Sequence, residues 1–153
     1  MAISIGDILT PERTLMDAPV SSKKKLLEYL AAFIASQIPE SSADDIYERL
    51  LGRERLGSTG IGEGIAIPHC RLPQCQQPFG VLLRLSDAID FDAIDRRPVD
   101  LVFALLVPEE ANDQHLQVLA MLARNFTEPA YREALRNAPD AGRLYERALH
   151  EHA

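Results

Sequence analysis

The sequence is short of cysteine, of basic charge and of long apolar runs, and each shortage closes off a class of protein. Only two cysteines occur, Cys70 and Cys75. The opening MAISIGDILT carries no basic region followed by a long apolar stretch, so no secretory signal is expected and the cytoplasm is the expected compartment. Lys and Arg together number 16 against 23 Asp and Glu, a formal net charge of −7. General affinity for nucleic acid or anionic lipid needs an excess of basic side chains to displace counterions, so neither is an expected partner and any anion must be held locally. The longest apolar run, 101–107, is about a third of the roughly 20 residues a membrane-spanning helix requires, and no membrane insertion is expected. Internal repeats and low-complexity tracts are also missing. What is present is ordinary globular material, with 46% hydrophobic and 25% charged residues. A chain of 153 residues is long enough for one core and too short for two, so 1–153 is read as a single domain.

Along the chain, the apolar positions Leu26, Leu27, Leu30, Ile34 and Ile38 fall at helical spacing behind Ser21 and Ser22, either of which can cap the helix. The three lysines Lys23, Lys24 and Lys25 are expected on its solvated face. A second helix is expected from SSADD onward. Ser41 or Ser42 with an acidic residue three positions on makes a capping-box pattern, Ile46, Tyr47, Leu50 and Leu51 form the apolar face, and Gly52 or Gly57 ends it. The segment GSTGIGEGIAIP predicts a glycine-rich loop leading into a strand at 65–67, which ends on Pro68 and His69. Strands are predicted at 79–85 and 99–107, the second apolar on both faces as a central strand covered by helices would be. Asn112 or Asp113 can cap a helix carrying Leu116, Leu119, Ala120, Ala123 and Phe126, and shorter helices are expected at 129–137 and 140–150. Helices before, strands in the middle and helices after predict an α/β fold in which a mixed β-sheet of about five strands is flanked by helices.

Several chemistries fail on residue type. A nucleotide-binding phosphate loop needs Gly-Lys-Ser/Thr after its glycines, and this segment has no lysine; the alternation of Gly60, Gly62 and Gly64 neither follows a strand nor opens a helix as a dinucleotide fingerprint does. Those glycines are expected to permit tight turns and close backbone approach. His69, Cys70 and Cys75 do not match the paired spacing of structural zinc, and no metal or cofactor is expected. Cys70 is expected to be a small packing residue, because neighbours on an extended backbone point to opposite sides and His69 could not easily serve it as a base. His150 and His152 lie near the terminus and are assigned no role. His69 differs from them: it follows a strand and a proline, behind glycines that leave its ring accessible. A neutral imidazole is a good nucleophile near neutral pH, and its phosphoramidate is reactive enough to pass the group on. Such a site needs one ring nitrogen held as N–H, so that the other presents its lone pair, and donors for the phosphoryl oxygens. Arg53 and His115 are the candidates for those donors.

The run from Glu54 through GSTGIGEG to Ile65, Ala66, Ile67, Pro68, His69 and Cys70 resembles the phosphorylation-site motif of the type 2 enzyme IIA family. These are the fructose- and mannitol-class phosphocarrier domains of the bacterial phosphotransferase system. GSTGIGEGIAIPH and FDAIDRRPVDLVFALLVPE look most like the nitrogen-regulatory branch, and the absence of a permease portion fits that branch. The resemblance implies the family's mixed sheet flanked by helices. It also implies that His69 carries the phosphoryl group, with Arg53 sixteen positions earlier and His115 forty-six later as the phosphate-stabilising residues. By the same resemblance, the donor is an HPr-like nitrogen-branch phosphocarrier that docks over His69, and the regulated partners are proteins such as potassium-transport components or sensor kinases. The alternatives are a sugar-specific carrier feeding a fructose- or mannitol-type permease, and a binding module that is never phosphorylated. Ile61, Ile65, Leu72 and Phe91 are candidates for an apolar docking rim, and Arg71 adds positive charge beside the site. Cys70 departs from the glycine that follows the histidine in many members, which bears on loop geometry and redox sensitivity.

Overall fold

The computed structural model describes residues 3–110 and 113–150, and its elements follow the chain in this order. After two single turns of 3-10 helix come β1 (Thr14–Ala18), α1 (Lys23–Gln37), α2 (Ala43–Arg55), β2 (Gly60–Gly62), β3 (Ile65–Ala66), β4 (His69–Arg71), β5 (Phe79–Ile89), β6 (Val99–Val107), α3 (Asp113–Thr127), α4 (Pro129–Arg136) and α5 (Ala141–Ala148). The six strands form one mixed sheet in the order β1-β5-β6-β3-β2, with β4 also paired to β6. β6 is the spine: β5 runs antiparallel on one side, and β3 and then β4 run parallel on the other. Its alternate residues feed two cores. Val102, Ala104 and Leu106 pack with Leu26, Leu30, Ile46 and Leu50 under α1 and α2. Leu101, Phe103, Leu105 and Val107 pack with Val118, Leu122, Phe126 and Tyr131 under α3 to α5. Each such fully buried aliphatic or aromatic side chain contributes about 1.5–3 kcal/mol, and this explains why the strand is apolar on both faces.

The expected mixed sheet flanked by helices is the fold observed, with six strands rather than about five among the described residues. Ser22 caps α1 by accepting from the Lys25 amide, and Ser42 caps α2 by accepting from the Asp45 amide. Gly52 does not stop α2, which runs on to Arg55 and gives way at Gly57. The glycine-rich segment is not merely a loop. Gly60–Gly62 is a strand antiparallel to β3, and the two-residue turn between them has positive φ at Glu63 (58°) and Gly64 (80°), as tight hairpin turns of the primed type require. Nor does the chain leave the sheet at Pro68 and His69, since His69 opens β4. Lys24 and Lys25 are exposed as expected, but Lys23 is drawn inward to an ion pair with Glu54. On α3 the buried stripe is Val118, Met121, Leu122, Asn125 and Phe126; of the expected face, Phe126 is buried and Leu119 packs against this core, while Leu116 is 64% exposed and Ala120 is exposed, so the apolar face is rotated part of the way round from the one expected. The proposed cap Asn112, like His152, lies outside the described residues.

Candidate functional site

Register decides which way the histidine faces. His69 pairs with Leu105, Cys70 with Leu106 and Arg71 with Val107. Paired residues of adjacent strands project from the same face. His69 and Arg71 therefore share the α3 side with Leu105 and Val107, while Cys70 shares the α1–α2 side with Leu106. β4 lies at a margin of the sheet, where side chains from both helical layers can meet. Arg53, in the last turn of α2, brings its Nε to 3.2 Å from His69 Nε2. His115, in the first turn of α3, sets its ring 5.6 Å from the His69 ring, centroid to centroid, in an edge-on arrangement of 61°. Three residues separated widely in sequence are thus gathered at one point.

The bonds around His69 fix its tautomer. Its Nδ1 lies 2.8 Å from the Ile67 carbonyl oxygen, which can only accept, so Nδ1 carries the proton. Its Nε2 faces the Arg53 Nε–H, which can only donate, so Nε2 presents its lone pair. Burial pushes the His69 pKa below its ordinary value, with the Arg53 charge acting the same way; the Ile67 hydrogen bond and the Glu54 charge oppose the shift. The His115 pKa is also lowered, first by burial and then by His69, Arg71 and Arg53. Both rings are held neutral near pH 7. His115 Nδ1 is buried and has no hydrogen-bond partner among the described residues.

An open depression of about 400 Å³ exposes this group, lined by His69, His115, Arg53, Arg49, Arg71 and Leu56 among others. Sequence reasoning missed Arg49 and Leu56. Arg49 stands one helical turn before Arg53 on α2, a spacing that places both on one face and was the available signal. Its guanidinium bonds Asp45 at 2.9 Å and lies 3.4 Å from Glu109. Arg71 donates to the Glu109 carbonyl at 2.8 Å, which keeps its charge on the rim. Of the candidate rim residues, Ile65, Leu72 and Phe91 are fully buried and only Ile61 is partly exposed, at 42%; among the described residues Leu56 and Ile94, both at 84%, and Leu116 at 64% are more exposed, and of these Leu56 lines the depression.

Cys70 is buried, and that burial pushes its thiol up to about 12; Cys75 is pushed up to about 11 for the same reason. Neither supplies a thiolate near neutral pH, so the cysteine beside His69 packs rather than reacts. Among the described residues no group of three or more His, Cys, Asp or Glu is gathered for a metal ion. A larger open depression of about 610 Å³ is lined by Asp90, Asp92, Ala93, Arg96 and Pro98, with no histidine or cysteine among them. Among the described residues no helix is long and apolar enough to cross a membrane.

Comparison with known proteins places the chain among phosphotransferase-related phosphocarriers. The chain belongs to the family described as "Phosphoenolpyruvate-dependent sugar phosphotransferase system, EIIA 2", whose model matches residues 7–150. Within it, the chain is 49% identical over 144 residues to the nitrogen regulatory protein of Pseudomonas aeruginosa, an alignment covering 94% of each chain. It superposes on the crystal structure of nitrogen regulatory protein IIA-Ntr from Neisseria meningitidis with a TM-score of 0.88 at 40% identity, covering 94% of this chain and 98% of that one. IIA mannitol of Escherichia coli shares the fold, with a TM-score of 0.73 at 18% identity, over 92% of this chain and 98% of the other.

Proposed function

We propose that His69 accepts a phosphoryl group at Nε2 from an HPr-like nitrogen-branch phosphocarrier, and that the protein regulates its partners according to whether the group is present. The observation that carries this is the tautomer. Partners on both sides of the ring leave Nε2 with its lone pair in an open depression bordered by arginines. In the transfer, the bond between the donor's imidazole nitrogen and phosphorus breaks and its electron pair stays with the donor ring. The His69 Nε2 lone pair forms the new N–P bond. His69 keeps its Nδ1 proton, and the Ile67 carbonyl stabilises the positive character the ring acquires. Arg53 turns from the ring nitrogen to the phosphoryl oxygens and His115 donates beside it; transfer through a loose transition state asks mainly for such alignment and charge stabilisation.

The phosphoryl group brings about two negative charges to a rim bordered by Leu56 and three arginines, enough to favour one partner and repel another. The same reading makes 1–153 a single domain acting in the cytoplasm, with potassium-transport components or sensor kinases as the class of regulated protein. The names of the relatives support the nitrogen branch over a sugar-specific carrier. The test is incubation with phosphoenolpyruvate, the general phosphotransferase components and a nitrogen-branch carrier. Wild type is expected to gain acid-labile phosphate and His69→Ala none; equal labelling of the two overturns the assignment.

A further inference from the structure

Glu54 is 7% exposed and lies between Arg53 and the glycine-rich hairpin. Its carboxylate accepts from the Thr59 amide at 3.1 Å, from the Thr59 hydroxyl, and from Lys23 Nζ at 2.9 Å. Lys23 Nζ in turn stands over the Phe91 ring, 4.6 Å from its centroid. Thr59, itself only 4% exposed, passes the constraint onward: its carbonyl accepts from the Ile67 amide at 3.0 Å. Ile67 then offers the carbonyl that holds His69 Nδ1–H at 2.8 Å. Hydrogen bonds, linked through the backbone of Thr59 and of Ile67, thus join a buried carboxylate to the proton that decides which nitrogen of His69 is nucleophilic.

We propose that Glu54 is a positioning residue for His69, fixing Thr59 and, through the Thr59–Ile67 pairing, the carbonyl that sets the tautomer and orientation of the ring.

A buried carboxylate is a poor device for stability, because its desolvation cost rivals what its partners return. It is a good device for geometry, because an acceptor with several lone pairs can gather an amide, a hydroxyl and an ammonium group at one point. The same anchor serves the cation opposite the ring. Arg53 is the preceding residue, and its Nη1 donates to the Gly57 carbonyl at 2.9 Å within the loop that Glu54 secures. Ring and guanidinium are therefore referred to one fixed group.

The inference rests on His69 being the acceptor, so its test has an arm that needs no phosphoryl transfer. The ¹⁵N spectrum of the His69 ring, above neutral pH in the full chain, reports which nitrogen bears the proton. Wild type is expected to show a single Nδ1–H tautomer. Glu54→Gln and Thr59→Val are expected to show a mixture, with transfer from the phosphorylated nitrogen-branch carrier slowed about ten-fold at unchanged KM. Thr59→Ser keeps the hydroxyl but loses a packed methyl, and it is expected to restore both tautomer and rate; a purely structural role would favour the isosteric valine over serine. Folded Glu54→Gln and Thr59→Val proteins with the wild-type spectrum overturn the proposal, as does an altered tautomer with an unaltered rate. Should Glu54→Gln fail to fold, the Thr59 pair decides alone. If wild-type His69 takes no phosphoryl group, the functional reading fails while the spectrum still judges Glu54.

Discussion

A histidine attacks phosphorus only while its ring is neutral, and His69 and His115 are both pushed toward neutrality by burial in a depression that also holds arginines. Their folded pKa values lie below the 6.5 of a free side chain, so in the window between the two values the unfolded chain binds more protons than the folded one. The contribution of these rings to stability is complete above the unfolded value and is lost as pH falls through it toward the folded value. An NMR titration is expected to give midpoints for both rings on the acid side of a histidine peptide; a midpoint at or above the peptide's contradicts the burial argument. For transfer itself, Arg53→Ala and His115→Ala are each expected to slow single-turnover phosphorylation about 100- to 1,000-fold, as loss of one charge-stabilising donor does elsewhere. Their melting temperatures should stay close to wild type, because both side chains border an open depression. Wild-type rates in both variants would leave the two residues without a catalytic role. At this scale the sequence was informative through its motif. His69, Arg53 and His115 were named from spacing and resemblance, whereas Arg49, Leu56 and the Lys23–Glu54–Thr59 cluster were not, because a lysine or glutamate gives no local sign that it will be drawn inward.

Among the elements, β6 was legible because a strand buried on both sides must be apolar on both, as 101–107 is, and α1 and α2 because their caps and spacings agree. β4 was not, since His69, Cys70 and Arg71 show no pattern of their own and become a strand only by pairing with β6. β1 is similarly weak in sequence, five residues with Asp17 at a φ of 55°. On α3 two stripes share the helical period, and the stripe that faces the sheet includes Asn125, whose amide is buried and donates to the Met121 carbonyl at 3.0 Å. A polar residue in the buried stripe makes the neighbouring stripe, whose Leu119 and Phe126 do reach the core, look the more apolar of the two. The hairpin before His69 offers the sharpest element-level expectation. Gly64 has a φ of 80°, and a Cβ there would lie 2.9 Å from Asp100 Oδ1, a carboxylate already bonded by Arg136. Arg136 also donates to the Glu63 carbonyl at 2.5 Å, so the neighbours cannot readily yield. Gly64→Ala is expected to destabilise the protein by about 2 kcal/mol in urea denaturation, and an unshifted midpoint would show that the turn is not constrained.

Over the whole molecule, β6 supplies residues to both cores, so neither helical layer can leave the sheet without exposing side chains on the strand that serves the other. Unfolding is accordingly expected to be one cooperative transition. Far-UV circular dichroism and tyrosine fluorescence, the latter sensing Tyr131 and Tyr145 in one core and Tyr29 and Tyr47 against the other in a chain without tryptophan, should give coincident melting curves. Separated curves would mean the two layers fold independently and that the single-domain reading is wrong.

The parallel pairing of β3 and β4 along β6 carries a different kind of constraint. Ile65 sits opposite Leu101 and His69 opposite Leu105, four steps along both strands. Between the two pairings a buried side chain can be exchanged for one of similar volume with a local effect, whereas a change of length acts on everything beyond it. Deleting or inserting one residue between the two pairings would turn His69 into the core and leave Cys70 facing the depression. Among related chains this stretch should accept volume-conserving substitutions but not gaps, while insertions collect in loops that no ladder measures.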